Sequence, residues 1–304
     1  MTHSTLITRY HQYLQERFHP AQFVFLSILI GGVLSLGSQL ASGATPDMWT
    51  LLLGSLALFL FLLRLRIFDE FKDHAHDTLH YPERPLPRGL VSIGELRLLL
   101  SLVWGGELIC VFIGGYSVVI PYGVALLYSL LMYKEFFLRT WLRERFTLYV
   151  VSHEILVVPL FCYIASFTLT TTIALYSPAT VALIIFSGTQ LFLLEITRKV
   201  RAKEHEVASR DTYTAQYGVH GAGILVFFTA FFSIIGLTLF ERMTGGGASV
   251  SSLLGSMSLL AFIVPIRTFI SSPTAPNAKK LFGASIIFFS VTHIVFILSS
   301  YLSL

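Results

Sequence analysis

Asp69, Asp73 and Asp77 stand four residues apart within RIFDEFKDHAHDTLHYPERPLPRG, residues 66–89, directly after a long apolar run. On a helix continued from that run, positions i, i+4 and i+8 lie along one face, with neighbouring carboxylates about 6 Å apart along the axis. Like charges so placed repel, and a carboxylate at membrane depth costs roughly 2.5–3.5 kcal/mol on insertion scales. A hard divalent cation offsets both effects. Mg2+ suits the arrangement because it takes one or two carboxylates and keeps positions for water and phosphate oxygens. The same residues also fit a plainer reading as a solvated helix end, although acids near a helix C-terminus oppose its dipole. His76 and His80 share a different face, rotated by roughly 100° from the aspartates, and His74 diverges from His76; these read as surface polar groups.

The elements that must position these carboxylates are membrane spans. With 54% hydrophobic and 12% charged residues and a mean hydropathy of +0.73, the chain lies outside the soluble range, where about a quarter of residues are charged. Windows of about twenty apolar residues, the length that crosses the hydrocarbon layer, fall near 21–40, 49–68, 95–114, 117–134, 147–167, 175–196, 219–240, 249–271 and 280–302. The expectation is an all-α integral membrane protein, a nine-helix bundle forming one domain over residues 1–304. Residues 1–20 are too long and polar for a signal-peptide start. They read as a cytoplasmic or interfacial segment whose Tyr10, Tyr13, Leu14 and Phe18 settle on the membrane surface. Of 21 Lys and Arg residues, only Arg242 falls outside the N-terminal segment and the even-numbered loops. Basic residues accumulate on the cytoplasmic side, so the N-terminus is placed in the cytoplasm and the loops at 64–94 and 197–218 open on one mouth. The net charge of +4 then reflects topology and contact with anionic lipid, and no nucleic-acid partner is required. Cys110 and Cys162 fall within spans and read as small hydrophobes.

The aspartates together with ERPLPRGLVS resemble the first signature of the UbiA-type intramembrane prenyltransferase superfamily, approximately R-x-N-D-x-x-x-D-x-x-x-D and then R-P-[LI]-x-x-G-x-[IV]-S. Arg66, Asp69, Asp73, Asp77, Arg84, Pro85, Leu86, Gly89 and Ser92 fall into register, and Phe68 stands where Asn is common. Nine spans match as well, so the resemblance covers nearly the whole chain. The superfamily's second acidic signature corresponds to EITRKVRAKEHEVASRDTYTAQYG. There Glu195 matches the first acid, Lys199 and Lys203 stand at i+4 and i+8, and Thr212 to Gly218 is similar to the T-x-x-x-x-x-G that follows. Glu204, Glu206 and Asp211 are further carboxylates of that loop.

The resemblance implies Mg2+-dependent transfer of a prenyl group from an allylic prenyl diphosphate to a lipophilic or aromatic acceptor held among membrane lipids. It implies that Asp69 and Asp73 hold magnesium with Asp77 assisting. Arg84, Lys199 or Arg201 would meet the diphosphate, and Arg66, Glu195, Asp211 and Tyr213 belong to the substrate site. Two alternatives stay open: a membrane terpene cyclase using the same aspartates, and a cation or lipid transporter. The second fits less well, because transporters place their polar groups near the midplane. Tyr133 to Phe146, YKEFFLRTWLRERF, reads as an interfacial anchor. His153 and Glu154 are candidates for contact with the acceptor, and Glu107 is expected to pair with an unidentified polar neighbour. The charge asymmetry predicts that cysteines introduced at Ser92 and Ser209 are labelled by an impermeant thiol reagent from the cytoplasm, and one at Ser249 only from outside. Labelling of Ser92 and Ser209 from opposite sides excludes a shared mouth.

Overall fold

The computed structural model describes residues 5–44, 47–168, 175, 177–202, 206, 212–245 and 250–302. Its helices are α1 (Leu6–Arg17), α2 (Pro20–Ala41), α3 (Met48–His80), α4 (Ile93–Gly114), α5 (Tyr116–Tyr133), α6 (Arg139–Arg143), α7 (Phe146–Glu154), α8 (Val157–Ser166), α9 (Pro178–Arg198), α10 (Tyr213–Met243), α11 (Val250–Ser271) and α12 (Ala275–Leu302). No strand occurs among the described residues. With α7 and α8 taken together, nine described segments are long and apolar enough to cross a membrane, as a multi-pass membrane protein requires.

Local chemistry sets the helix ends. The Asp47 carboxylate accepts from the backbone N–H groups of Trp49 and Thr50 at the start of α3, and Ser92 with Glu95 forms a reciprocal capping box at the start of α4. The fifth span is continuous in hydropathy but broken in the structure. Pro159 lacks an N–H and its ring crowds the carbonyl of Ile155 four residues back, and the helix is interrupted at Ile155 and Leu156. α3 runs 33 residues, about 50 Å at 1.5 Å per residue. That exceeds the roughly 30 Å hydrocarbon layer, so its acidic C-terminal turns project beyond the apolar zone.

Small residues bring the central helices together, as they do where lipid supplies no hydrophobic drive for association. A Cβ on Gly31 of α2 would lie 2.7 Å from Ser55 Cα of α3, and one on Gly236 of α10 would lie 2.8 Å from Phe186 N of α9. One core joins α2, α3, α5, α8 and α9 with residues of α4, α10 and α12, and a second joins α9 to α10, α11 and α12. α9, α10 and α12 therefore belong to both.

Two expectations are corrected. Tyr13 and Phe18 are fully buried against the bundle instead of lying on the membrane surface: Tyr13 packs with Leu86, Val91 and Leu96, and Phe18 stacks on Phe23 at 4.0 Å. Arg64, counted above among the loop cations, is fully buried and is the partner of Glu107. Its Nε donates to Glu107 Oε1 and Oε2 at 2.8 and 3.0 Å and its Nη1 to Ser129 Oγ at 2.9 Å. Tyr122 OH donates to the same carboxylate at 2.9 Å, and Trp104 Nε1 donates to Tyr122 OH at 3.0 Å. The network ties α3 to α4 and α5. Glu107→Leu alone strands a buried guanidinium and is expected to lower stability by about 3–5 kcal/mol, whereas Arg64→Met with Glu107→Leu restores most of the loss. Unfolding titrations in mixed micelles measure this, and a double variant no more stable than the single one contradicts it.

Candidate active site

The acidic turns of α3 carry Asp69, Glu70, Asp73 and Asp77. Eight residues at 3.6 per turn rotate Asp77 by about 80° from Asp69, so the three aspartates do not form one row. Asp77 instead shares a face with Glu70, seven residues before it, and α1 covers that face. Arg17 Nε lies 2.7 Å from Glu70 Oε1, with its Nη2 3.8 Å from Asp77 Oδ2. Arg66 Nη2 also reaches Glu70 Oε1 at 2.8 Å. The Asp77 carboxylate is buried and engaged by Arg84 Nη1 at 2.6 Å, and that guanidinium lies over the Tyr81 ring at 3.9 Å. The grouping of all three aspartates around one ion is thus not what the structure places together: Asp77 and Arg84 brace the segment after α3.

The rest of the first signature has local reasons. Pro85 and Leu86 are buried, Gly89 turns the chain at φ 79°, and Ser92 caps α4. Arg88 donates to the two Glu16 carboxylate oxygens at 2.7 and 2.8 Å, Arg9 pairs with Glu95, and Tyr10 OH donates to the Glu95 carbonyl at 2.6 Å. α1 is thereby clasped over the turn.

Asp69 and Asp73 remain one helical turn apart and loosely held. The Asp69 side chain is 43% exposed, with Lys72 Nζ at 3.6 Å and Arg66 Nη1 at 3.7 Å. No ion pair within 4 Å engages half-buried Asp73 among the described residues. No group of three or more His, Cys, Asp or Glu among the described residues is arranged to hold a metal ion. A full protein cage is therefore not present there, while a pair of carboxylates fits Mg2+, which shares its remaining positions with phosphate and water.

The second signature lies on the end of α9 and the start of α10. Glu195 is paired twice, with Lys199 Nζ at 2.8 Å and Arg198 Nη2 at 2.6 Å. Arg201 N donates to Thr214 Oγ1 at 3.1 Å, Thr212 caps α10 by accepting from Ala215 N at 3.1 Å, and Gly218 kinks α10 at φ 70°. α10 thus begins six residues before the apolar window. Tyr213 is buried with a hydroxyl that finds no hydrogen-bond partner among the described residues, and Phe146 meets its ring edge-on at 5.4 Å. Thr212 Oγ1 lies 3.5 Å from Glu206 Oε1. Asp211, Lys203 and Glu204 lie outside the described residues.

α7 joins the two rims. His153 lies within electrostatic reach of both Lys72 and Lys199, and Tyr149, stacked on it at 4.1 Å, within reach of Lys72 and Asp69. Glu154 is similarly near Glu195 and Lys199. The end of α3 and the end of α9 therefore border one mouth. Sequence reasoning missed part of it: Lys72, Tyr133, Lys134, Glu135 and Arg139 line a cavity of about 230 Å³. The one signal for Lys72 was its place inside the acidic repeat. An apolar groove of about 430 Å³ runs beside the mouth, lined by residues including Val150, Val151, Phe192, Tyr213, Tyr217 and Phe228.

Taken together, the fold and mouth define a helical membrane protein with paired acids and surrounding bases at one end of the bundle. No family model matches the chain. A 65-residue stretch is 38% identical to the digeranylgeranylglyceryl phosphate synthase of Thermococcus kodakarensis, covering 21% of this chain and 24% of that protein. A 98-residue stretch is 33% identical to the Thermococcus sibiricus protein of the same name, covering 32% of each. The chain thus spans about a third or less of the curated relatives it matches. Across the whole fold, 96% of the chain superposes on 99% of a solved chain from work on digeranylgeranylglyceryl phosphate synthase in membranes, with TM-score 0.65 and 16% identity. A UbiA homologue from Aeropyrum pernix K1, solved in the apo state, matches over 86% of this chain and 94% of its own, with TM-score 0.59 and 12% identity. The chain has the fold of the UbiA-type prenyltransferase superfamily.

The α1 clasp carries a pH dependence. The hydrogen bond from Arg88 holds the Glu16 carboxyl below its ordinary value, with burial opposing more weakly. A folded value below the unfolded one, about 4.3 for Glu, means that the contribution is present above the unfolded value and lost as pH falls through the folded one. Amide exchange over residues 6–17, corrected for intrinsic rates, is expected to accelerate below about pH 4, and Glu16→Gln is expected to blunt that acid dependence. An unchanged profile in Glu16→Gln assigns the acid response to other groups.

Proposed function

We propose that this protein is an intramembrane prenyltransferase that moves a prenyl group from an allylic prenyl diphosphate to a lipophilic or aromatic acceptor, with Asp69 and Asp73 holding Mg2+ at a mouth open to the cytoplasm. The observation that carries the reading is the selective pairing of the acids on α3. Glu70 and Asp77 are locked by arginines, while Asp69 and Asp73, one turn apart, face the mouth bordered by the ends of α3 and α9. The partial matches to two digeranylgeranylglyceryl phosphate synthases support prenyl transfer as the reaction class, and the basic asymmetry of the loops supports the orientation.

In this reading Asp69 and Asp73 bind the cation, and Arg66, whose Nη1 lies 3.7 Å from Asp69 Oδ2, orients that carboxylate. Magnesium, when bound, neutralises the charge that grows on the diphosphate as its bond to the prenyl C1 breaks. The bond that forms joins C1 to the acceptor, which releases a proton. Aromatic faces line the path: Phe68 packs on Tyr133 at 4.9 Å beside Asp69, and Tyr149 stacks on His153 across the mouth. Such faces stabilise a carbocation without capturing it and exclude water that would. Phe68, in the place of the usual Asn, contributes to that wall and not to phosphate binding.

Asp69→Asn and Asp73→Asn are each expected to lower turnover by two or more orders of magnitude while leaving the melting temperature near that of the wild type, because charge stabilisation in the transition state is lost. Asp77→Asn is expected to show the opposite profile, a lower melting temperature with a smaller loss of turnover, because it unbraces Arg84 and Arg17. Product formation from a panel of prenyl diphosphates and acceptors measures both. Near-normal rates in Asp69→Asn and Asp73→Asn overturn the assignment.

A further inference from the structure

Three features of the cavity beside Asp69 remain unused by the reading above. The first is Lys72. Its side chain is only 14% exposed and its Nζ lies 3.6 Å from Asp69 Oδ1, within electrostatic reach of Asp73, Glu135 and Tyr149. It stands between the two proposed magnesium carboxylates in sequence and lines the cavity with Tyr133, Lys134, Glu135 and Arg139. A plain helical ion pair places lysine in solvent, where the net gain is small; this one is drawn inward.

The second feature is the turn on the far wall. Glu135, Phe136 and Phe137 all adopt left-handed backbone conformations, with φ of 47°, 53° and 59°. None is glycine, and a non-glycine residue keeps such a conformation only where its surroundings enforce it. What enforces it is visible. The Glu135 carboxylate is buried, with Arg139 Nε 3.2 Å from Oε2 and Arg143 Nη2 3.0 Å from Oε1. Glu135 is thereby overmatched by arginines, and the turn holds Lys134 and Arg139 against the cavity opposite Lys72. Cations outnumber the single acid of the cavity wall three to one.

The third feature is how the opposite rim is committed. Lys199 and Lys203 stand where the resemblance has acids, and Lys199 is paired with Glu195 at 2.8 Å. Arg198 holds the same carboxylate at 2.6 Å, so at the end of α9, among the described residues, both the acid and the lysine are already paired.

We propose that Lys72, with Lys134 and Arg139, forms the subsite for the diphosphate group, and that Lys72 supplies there the positive charge which a second metal ion would otherwise bring. This inference rests on the prenyl-transfer reading for the identity of the ligand. Ammonium groups suit the role as compact point charges, and a guanidinium adds a planar fork for two phosphate oxygens. The diphosphate would bridge Lys72 and the Asp69–Asp73 pair, which places its leaving oxygen beside the Phe68–Tyr133 wall.

Binding of inorganic diphosphate to the full chain in nanodiscs, by calorimetry, tests this with and without magnesium. Lys72→Ala is expected to weaken binding about tenfold or more, as loss of a charge-assisted contact implies, and most clearly in the absence of magnesium. Lys72→Arg is expected to recover most of the affinity, and Lys279→Ala, an exposed lysine near the start of α12, to leave it within about twofold of the wild type. Lys134→Ala, on a different element, is expected to weaken binding as well, and it serves as the test if Lys72→Ala does not fold. Wild-type affinity in both Lys72→Ala and Lys134→Ala, or in Lys134→Ala alone if Lys72→Ala does not fold, overturns the subsite, as does an equal loss in Lys279→Ala. Product assays separate the two readings. Lys72-dependent diphosphate binding without prenyl transfer to any acceptor sinks the transfer reading and leaves the subsite, whereas transfer with unchanged affinity in Lys72→Ala does the reverse.

Discussion

An excess of negative charge at the end of α3 is the constraint from which the rest of the mouth follows. Four carboxylates lie within nine residues near the end of a helix, and Asp77, in its last turn, also meets the negative end of the backbone dipole. The fold answers by bringing cations from separate parts of the chain. Arg17 comes from α1, Arg66 from the preceding turn, and Arg84 from the loop beyond. Each of these docks an element as well as neutralising a charge. α1 lies where it does because Arg17 must reach Glu70, and the segment after α3 folds back because Arg84 must reach Asp77. The acids left with the weakest partners, Asp69 and Asp73, are those that face the open mouth.

This pattern also explains which parts of the molecule were legible in the sequence. The apolar windows, the extension of α3 to His80, and the turn chemistry of Pro85, Gly89 and Ser92 are local properties, readable from neighbours within a few residues. Ion pairs between helices are not. Nothing near Glu107 in sequence points to Arg64, 43 residues away, and Arg64 was counted as a loop cation because it ends the apolar run. The same limit hid Glu70, which the spacing of the aspartates overshadowed although two arginines reach it at 2.7 and 2.8 Å. The rotation of Asp77 out of line was in principle readable, since a four-residue spacing drifts against a 3.6-residue helix and the drift accumulates to about 80° over eight residues. Tyr13 and Phe18 carried the opposite difficulty: an amphipathic segment docks equally well on lipid or on protein, and only the ion pairs of Arg9, Glu16 and Arg17 decide between them.

The second signature shows how chemistry and scaffold separate. Thr212 still caps α10 and Gly218 still takes a left-handed conformation that a side chain would disfavour, so the backbone of that rim is set by local rules. The charged positions before it have changed sign. A helix end accepts lysine at least as well as aspartate, because cations complement its dipole, so the exchange leaves the architecture intact. What it alters is the electrostatic balance of the mouth.

That balance makes the buried network below the mouth more than a fastening. Arg64 lies one turn before Phe68 and two turns before Lys72 on α3, and its guanidinium sits 4.3 Å from the Phe61 ring centre and 5.3 Å from that of Phe68. By pairing with Glu107 of α4 and donating to Ser129 of α5, it fixes both the depth and the rotation of α3. A helix free to turn by one residue would move Asp69 and Lys72 by about 100°, carrying the carboxylate away from the opposite rim and the ammonium away from Lys134. Hydrophobic packing alone specifies such rotation weakly in a bilayer, where lipid is as apolar as the helix surface. A buried ion pair with directed hydrogen bonds specifies it strongly, at a cost in desolvation that an apolar substitute would avoid. The placement of this pair one to two turns beneath the mouth, and not at the opposite end of α3, is where control of rotation acts most directly on the charges above it.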